Sequence, residues 1–334
     1  MMDEFEKQAK ANDGPPAENV FDPTSAILES HEFHSLELPK KRSLIHPIIK
    51  EQEIGLMTGY RGIGKSWCCM GIADALTRGR NLGPWRVEEP APCLYLDGEM
   101  ACVDTQSRFS ILNPNNERQA PLYIYSDAYA NGLGIPRANL LDQTWRESMC
   151  RFLMDKKIKL FLADNLASLT SGIDENTKKE WDPVNSWLIE LRFKGISTLS
   201  LHHTNKEGGQ RGTSAREDNI DISILLKQPA NYRSEDGADF IITFTKTRLP
   251  LEDLKYIQDY RFTLGKDENG CTAWTWAPVK TETQHNVLRM LKMGVPQKDI
   301  AAALGLSPGR ISQIKAEAIV EGVIPVDKNK KRGA

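Results

Sequence analysis

Short apolar runs alternate with segments of helical period along most of the chain. Runs of strand length lie at residues 54–58, 92–100, 122–125, 159–165 and 196–204. Between them, residues 67–77, 101–112, 140–156 and 180–194 place apolar side chains at helical spacing. In the last of these, Trp181, Val184, Trp187, Leu188 and Leu191 form a stripe that reads as core. Alternating strands and helices of these lengths predict an α/β fold.

The second half changes character. Residues 219–227 and 238–246 read as strands joined by a polar connection, 228–237. Two more, 260–264 and 271–276, flank Asn269-Gly270, a hairpin turn signal. A helical segment at 283–293 then leads into two short helical segments, 296–304 and 308–320, around the turn Gly305-Leu306-Ser307. With Ile300, Leu304, Ile311 and Ile314 directed inward, this is a helix-turn-helix pattern, a small all-α module. Its second helix would present Arg310, Ser312, Gln313 and Lys315 outward, residue types suited to base edges and phosphates. A helical hairpin used for packing or for a protein partner has the same spacing. The expected organisation is a flexible polar arm (1–42), an α/β domain (43–278), the helix-turn-helix (279–324) and a basic tail (325–334).

Composition narrows the choices. The 334 residues are 40% hydrophobic with a net charge of −2, enough for one substantial core and a small module. Near-neutral charge means that any nucleic-acid contact must come from local basic segments. Six cysteines without zinc spacing read as reduced core thiols. No apolar stretch approaches the roughly 18 residues that a membrane span requires, and Met1-Met2-Asp3-Glu4 opens no secretory leader. The expectation is a cytoplasmic protein with no membrane partner. His31 and His34, in the polar arm, are expected to be solvated rather than metal ligands.

The chemistry starts at Gly59-Tyr60-Arg61-Gly62-Ile63-Gly64-Lys65-Ser66, which fits G-x-x-x-x-G-K-[ST] between a strand and a helix. Glycines let the loop wrap a triphosphate with its N–H groups, and the helix start, through Trp67, adds unpaired donors. Lys65 is expected on the β- and γ-phosphates of ATP and the Ser66 hydroxyl on Mg²⁺. Run 159–165 ends in Asp164, a Walker-B pattern that delivers a second metal ligand. Run 92–100 ends in Asp97 and Glu99, either of which would face the nucleotide at a strand's carboxyl end. Glu99 is the candidate general base, against the alternative that both acids cap the helix that follows. His202 and His203 end run 196–204, where a polar group can sense the γ-phosphate or simply lie satisfied. The glycine-rich loop 205–216 carries Arg211 and Arg216, suited to single-stranded DNA backbone, or is a plain surface loop. Lys246 and Arg248 end a strand; in a ring of subunits they would act as fingers on a neighbour's γ-phosphate, and in a monomer they would be solvated.

Taken in this order, these elements resemble the RecA-like P-loop ATPase core, and within it the small plasmid- and phage-type hexameric replicative helicases and related DnaB-like motors. The likeness covers about residues 45–265. It implies a mostly parallel sheet with helices on both faces, a homo-oligomeric ring or hexamer, Glu99 as catalytic base, His203 as sensor and Lys246 or Arg248 as fingers in trans. It implies a DNA helicase; an ATP-switched DNA-binding regulator, a replication-initiation factor or a recombination mediator are the other functions open to such a chain. Residues 1–40 have no counterpart in that pattern, and the helix-turn-helix is an addition to it.

Overall fold

A computed structural model describes residues 22–170, 178–204, 219–229, 232–233, 237–268, 270–279, 282–320 and 323–324. The chain divides into two units, Met1–Lys40 and Lys41–Ala334. In the first, the described residues form a 3-10 turn, Pro23–Ala26, capped by Asp22, and a one-and-a-half-turn helix, α1 (Ser30–Ser35), closed by a capping box between Glu29 and Glu32. Neither element buries a residue.

The second unit opens with a small antiparallel pair, β1 (Ser43–Ile45) and β2 (Ile49–Lys50). The main strands follow as β3 (Ile54–Gly59), β4 (Cys93–Asp97), β5 (Leu122–Ser126), β6 (Leu160–Asp164), β7 (Ser197–His203), β8 (Ile222–Lys227), β9 (Asp239–Lys246), β10 (Tyr260–Lys266) and β11 (Thr272–Pro278). They form one sheet in the order β11-β10-β9-β8-β3-β7-β6-β4-β5. The strands from β8 through β5 in that order run parallel, while β9, β10 and β11 extend it antiparallel. The helices between strands are α2 (Lys65–Arg78), α3 (Cys102–Leu112), α4 (Asp127–Gly132), α5 (Gln143–Asp155), α6 (Leu166–Leu169) and α7 (Lys178–Phe193).

Strand alternation builds two cores. In β4, Cys93 and Tyr95 join the cluster under α2 and α3, whereas Leu94 and Leu96 join the cluster under α5, α6 and α7. β6 repeats this with Leu160 and Leu162 on one face and Phe161 and Ala163 on the other. Parallel strands buried on both faces read as unbroken apolar runs, which is why the sequence marks them clearly. Cys68, Cys69 and Cys93 lie in the first core, where burial pushes the Cys68 thiol up to about 12, whereas Cys102 and Cys271 are exposed and so are not the core thiols expected. The expected mostly parallel α/β architecture with helices on both faces is the one observed.

Helices α8 (Glu282–Lys292), α9 (Gln297–Leu304) and α10 (Pro308–Val320) close around a third cluster that includes Val287, Ile300, Ile311 and Ile314. Gly305 ends α9 in the left-handed conformation, φ 63°.

Several boundaries differ from the sequence reading. Segment 140–156 becomes helical only at Gln143, because Asp142 accepts from Trp145 N at 3.1 Å and caps the helix, while Leu140 N donates to the Leu169 carbonyl. After β5 the chain enters α4 at once, capped by Ser126. Strand β8 starts at Ile222 rather than 219, and a 3-10 helix, Leu251–Tyr256, follows β9. No helix among the described residues is long and apolar enough to cross a membrane.

Candidate active site

Because β3, β4, β6 and β7 are parallel, their carboxyl ends share one edge, with Gly59 in register with His203 and Asp97 with Asp164. A cavity of about 350 Å³ opens there and brings together Lys65, Ser66, Glu99, Asp164 and His203.

The loop geometry follows from its glycines. Gly62 and Gly64 have φ of 80° and 101°, a region that side chains disfavour. A Cβ on Gly64 would also stand 2.8 Å from the Phe240 ring. Gly59 and Tyr60 turn their carbonyls to Lys65 Nζ, each at 2.9 Å. Ile63 anchors the loop in the core, while Arg61, Ser66 and Trp67 line the cavity. Lys65 is 5% exposed, and burial pushes its ammonium down to about 8 even though Asp164 and Glu99 oppose the shift.

Burial raises the Asp164 pKa, against hydrogen bonds from the Ser66 hydroxyl and from Tyr95, whose hydroxyl donates at 2.6 Å. Asp97 is fully buried and accepts from the amides of Glu99 (3.0 Å) and Met100 (2.9 Å) and from the Thr105 hydroxyl. It caps the turn and does not line the cavity. Of the two acids the sequence left open, Glu99 is therefore the one that faces the cavity. Its carboxylate accepts from Asn165 Nδ2, which also lies 3.2 Å from His203 Nε2. His203 borders the cavity, whereas His202 is buried.

These residues fit Mg²⁺-ATP. The buried Lys65 ammonium donates to two loop carbonyls and makes no ion pair among the described residues, so it can turn to a phosphate. Ser66 and Asp164, already hydrogen-bonded, form an oxygen pair suited to Mg²⁺.

Arg108 was not legible in the sequence. It projects from α3 into the cavity, its guanidinium 5.2 Å from the Trp67 ring centroid, and it makes no ion pair among the described residues. A basic residue on the helix after the Glu99 strand was the available signal. Asn165 and Tyr95 were likewise missed, since nothing in an apolar strand or its end distinguishes them.

Lys246 and Arg248 are not brought to this cavity. Lys246 pairs with Ser223, itself beside Leu56, and Arg248 Nη1 lies 3.3 Å from Asp221 Oδ1. Asp221 also accepts from Arg192 and from Ile54 N, at the opposite end of β3 from Gly59. At about 3.3 Å per residue, that is roughly 17 Å from the loop. Arg211 and Arg216 lie outside the described residues.

On α10, Ser312 and Gln313 are exposed and Lys315 is half-buried. Arg310 donates to Gln313 Oε1 at 2.8 Å and Ser312 to Gln297 Oε1 at 3.1 Å. Arg310 is exposed as well. With Ile314 and Glu317 it borders a cavity of about 690 Å³ against Leu254, Lys255 and Gln258.

The family model described as AAA domain matches residues 20–209 of this chain. No curated protein matches it. Among solved structures, the chain is similar to a KaiC-like protein of the hyperthermophilic archaeon Pyrococcus horikoshii. That match has a TM-score of 0.47 and 15% identity over 70% of this chain and 93% of the other.

Proposed function

The chain belongs to the AAA domain family, and from that premise we propose that it is an ATP-driven, oligomeric DNA motor, a replicative DNA helicase of the plasmid or phage type. The observation that carries the ATP-hydrolysing part is the convergence of Lys65, Ser66, Glu99 and Asp164 on one cavity from the ends of three strands. Lys65 and the loop amides would hold the phosphates, and Ser66 with Asp164 would hold Mg²⁺, which when bound would neutralise charge on the γ-phosphoryl group. Glu99 orients a water and accepts its proton. His203, at the end of β7, would sense the loss of the terminal phosphate. Lys246 and Arg248, remote from their own cavity, serve the neighbouring subunit's, and Arg211 and Arg216 meet single-stranded DNA. The test is ATP turnover by the purified chain with and without single-stranded DNA, together with unwinding of a forked duplex. Glu99→Gln is expected to bind ATP and hydrolyse it about 10²–10⁴-fold more slowly. Absence of wild-type turnover overturns the ATPase, and turnover without unwinding overturns the helicase.

The closed three-helix module α8–α10 favours a second reading, an ATP-switched DNA-binding regulator or initiation factor. It predicts site-specific duplex binding that survives Lys65→Ala, is lost in Arg310→Ala/Gln313→Ala, and comes without unwinding.

A further inference from the structure

Tyr95 lies in the middle of β4, opposite Leu162 of β6, and is fully buried in the cluster under α2 and α3. Phenylalanine would fill that space as well and carry nothing polar into the core. A buried hydroxyl costs stability unless it finds a partner. The partner that Tyr95 finds is Asp164, whose Oδ2 accepts from it at 2.6 Å. The next pair on the same face of the two strands is Asp97 with Asp164, so the ring reaches one step along its own face, from the core towards the cavity. Phe109 of α3 holds it there edge-on, with ring centroids 5.4 Å apart and planes at 87°. Asp164 itself is 3% exposed, and the hydroxyl of Ser66, which lines the cavity, bonds to it as well.

We propose that Tyr95 is a positioning residue for the metal site: its hydroxyl sets the rotation of the Asp164 carboxylate, so that the acceptor sites left open meet Mg²⁺ in the arrangement that ion demands. The terminal torsion of an aspartate is broad and nearly two-fold, so the backbone of β6 alone does not choose among its settings. A donor fixed in a packed core does. One bond to one oxygen still leaves the remaining lone pairs of the carboxylate free for an ion. Mg²⁺ demands near-ideal octahedral geometry, whereas Ca²⁺ tolerates irregular sets of oxygens, so the restraint matters more for the first than for the second. The inference rests on the reading of Ser66 and Asp164 as the pair that would hold Mg²⁺, and it adds the group that orients one of them.

Tyr95→Phe removes the hydroxyl and keeps the ring. Its ADP binding is compared with that of the wild type by calorimetry in chelator, in Mg²⁺ and in Ca²⁺, a readout that needs no turnover. Without metal the two chains should bind ADP alike. In Mg²⁺ the variant should lose about 10-fold of the affinity that the metal adds, the lower end of what removing a partner of a metal ligand costs. In Ca²⁺ it should lose less. Equal affinities in Mg²⁺ overturn the proposal. So does an equal loss in both metals, or one already present in chelator, because those follow from a disturbed core rather than from a turned carboxylate. Should a thermal scan show that Tyr95→Phe does not fold, Phe109→Leu decides, since it keeps the hydroxyl but removes the ring that holds it. It should lose Mg²⁺-dependent affinity more than Ca²⁺-dependent affinity, and equal losses or none overturn the proposal. A wild type whose ADP binding is absent or ignores both metals overturns the metal reading and the positioning together. A wild type that responds to Mg²⁺ beside a variant that responds equally overturns the positioning alone.

Discussion

Lys65 holds a positive charge where little water reaches it, and two measurable effects follow. Its folded pKa of about 8 lies below the ordinary 10.5, so between those values the unfolded chain binds more protons than the folded one. Stability of the nucleotide-free protein should therefore rise as pH climbs from about 8 towards 10.5. Lys65→Met, which removes the buried charge, should raise the thermal midpoint without nucleotide while abolishing ATP binding, read by thermal scans with and without Mg²⁺-ATP. Phosphates restore the ammonium, so binding at pH 8.5 should take up protons. Calorimetry in two buffers of different ionisation enthalpy checks this; equal heats would place the charge elsewhere. The glycines, Lys65, Ser66 and Asp164 were legible because each residue type is demanded by phosphate or metal chemistry. Asp97 and Glu99 were not separable, since their roles depend on whether Thr105, a helical turn away, turns towards the strand end.

Among the elements, α2 shows how closely the sheet packs on the loop's helix. A Cβ on Gly71 would stand 2.8 Å from Trp274 Nε1 on β11. Alanine's advantage in a helix is at most about 1 kcal/mol, whereas overpacking costs about 1–3 kcal/mol. Gly71→Ala should therefore lower the urea midpoint, and a higher one would mean that the indole moves freely. The central strands were readable because both their faces are buried, giving continuous apolar runs. The pair β1 and β2 was not, because three and two residues carry no period. The start of α5 was misplaced because Leu140 and Leu141 fit the apolar spacing, and only the Asp142 cap decides.

Across the sheet, the strand order gathers the candidate site at one edge and leaves Arg248 at the other. If Arg248 acts on a neighbour, Arg248→Ala subunits and Lys65→Met subunits, each inactive alone, should regain part of the ATP turnover when mixed. A mixture as inactive as its components would mean that the cation works in its own subunit or not at all. This arrangement was invisible in the sequence, since the partnership of Arg248 with Asp221 and Arg192 joins three distant segments. The Trp67 indole, lying beneath the Arg108 guanidinium at the mouth of the phosphate cavity, gives the chain a built-in optical gauge. An anion that draws that guanidinium away should change the Trp67 emission, and a Trp67→Phe control separates that signal from the chain's other six tryptophans.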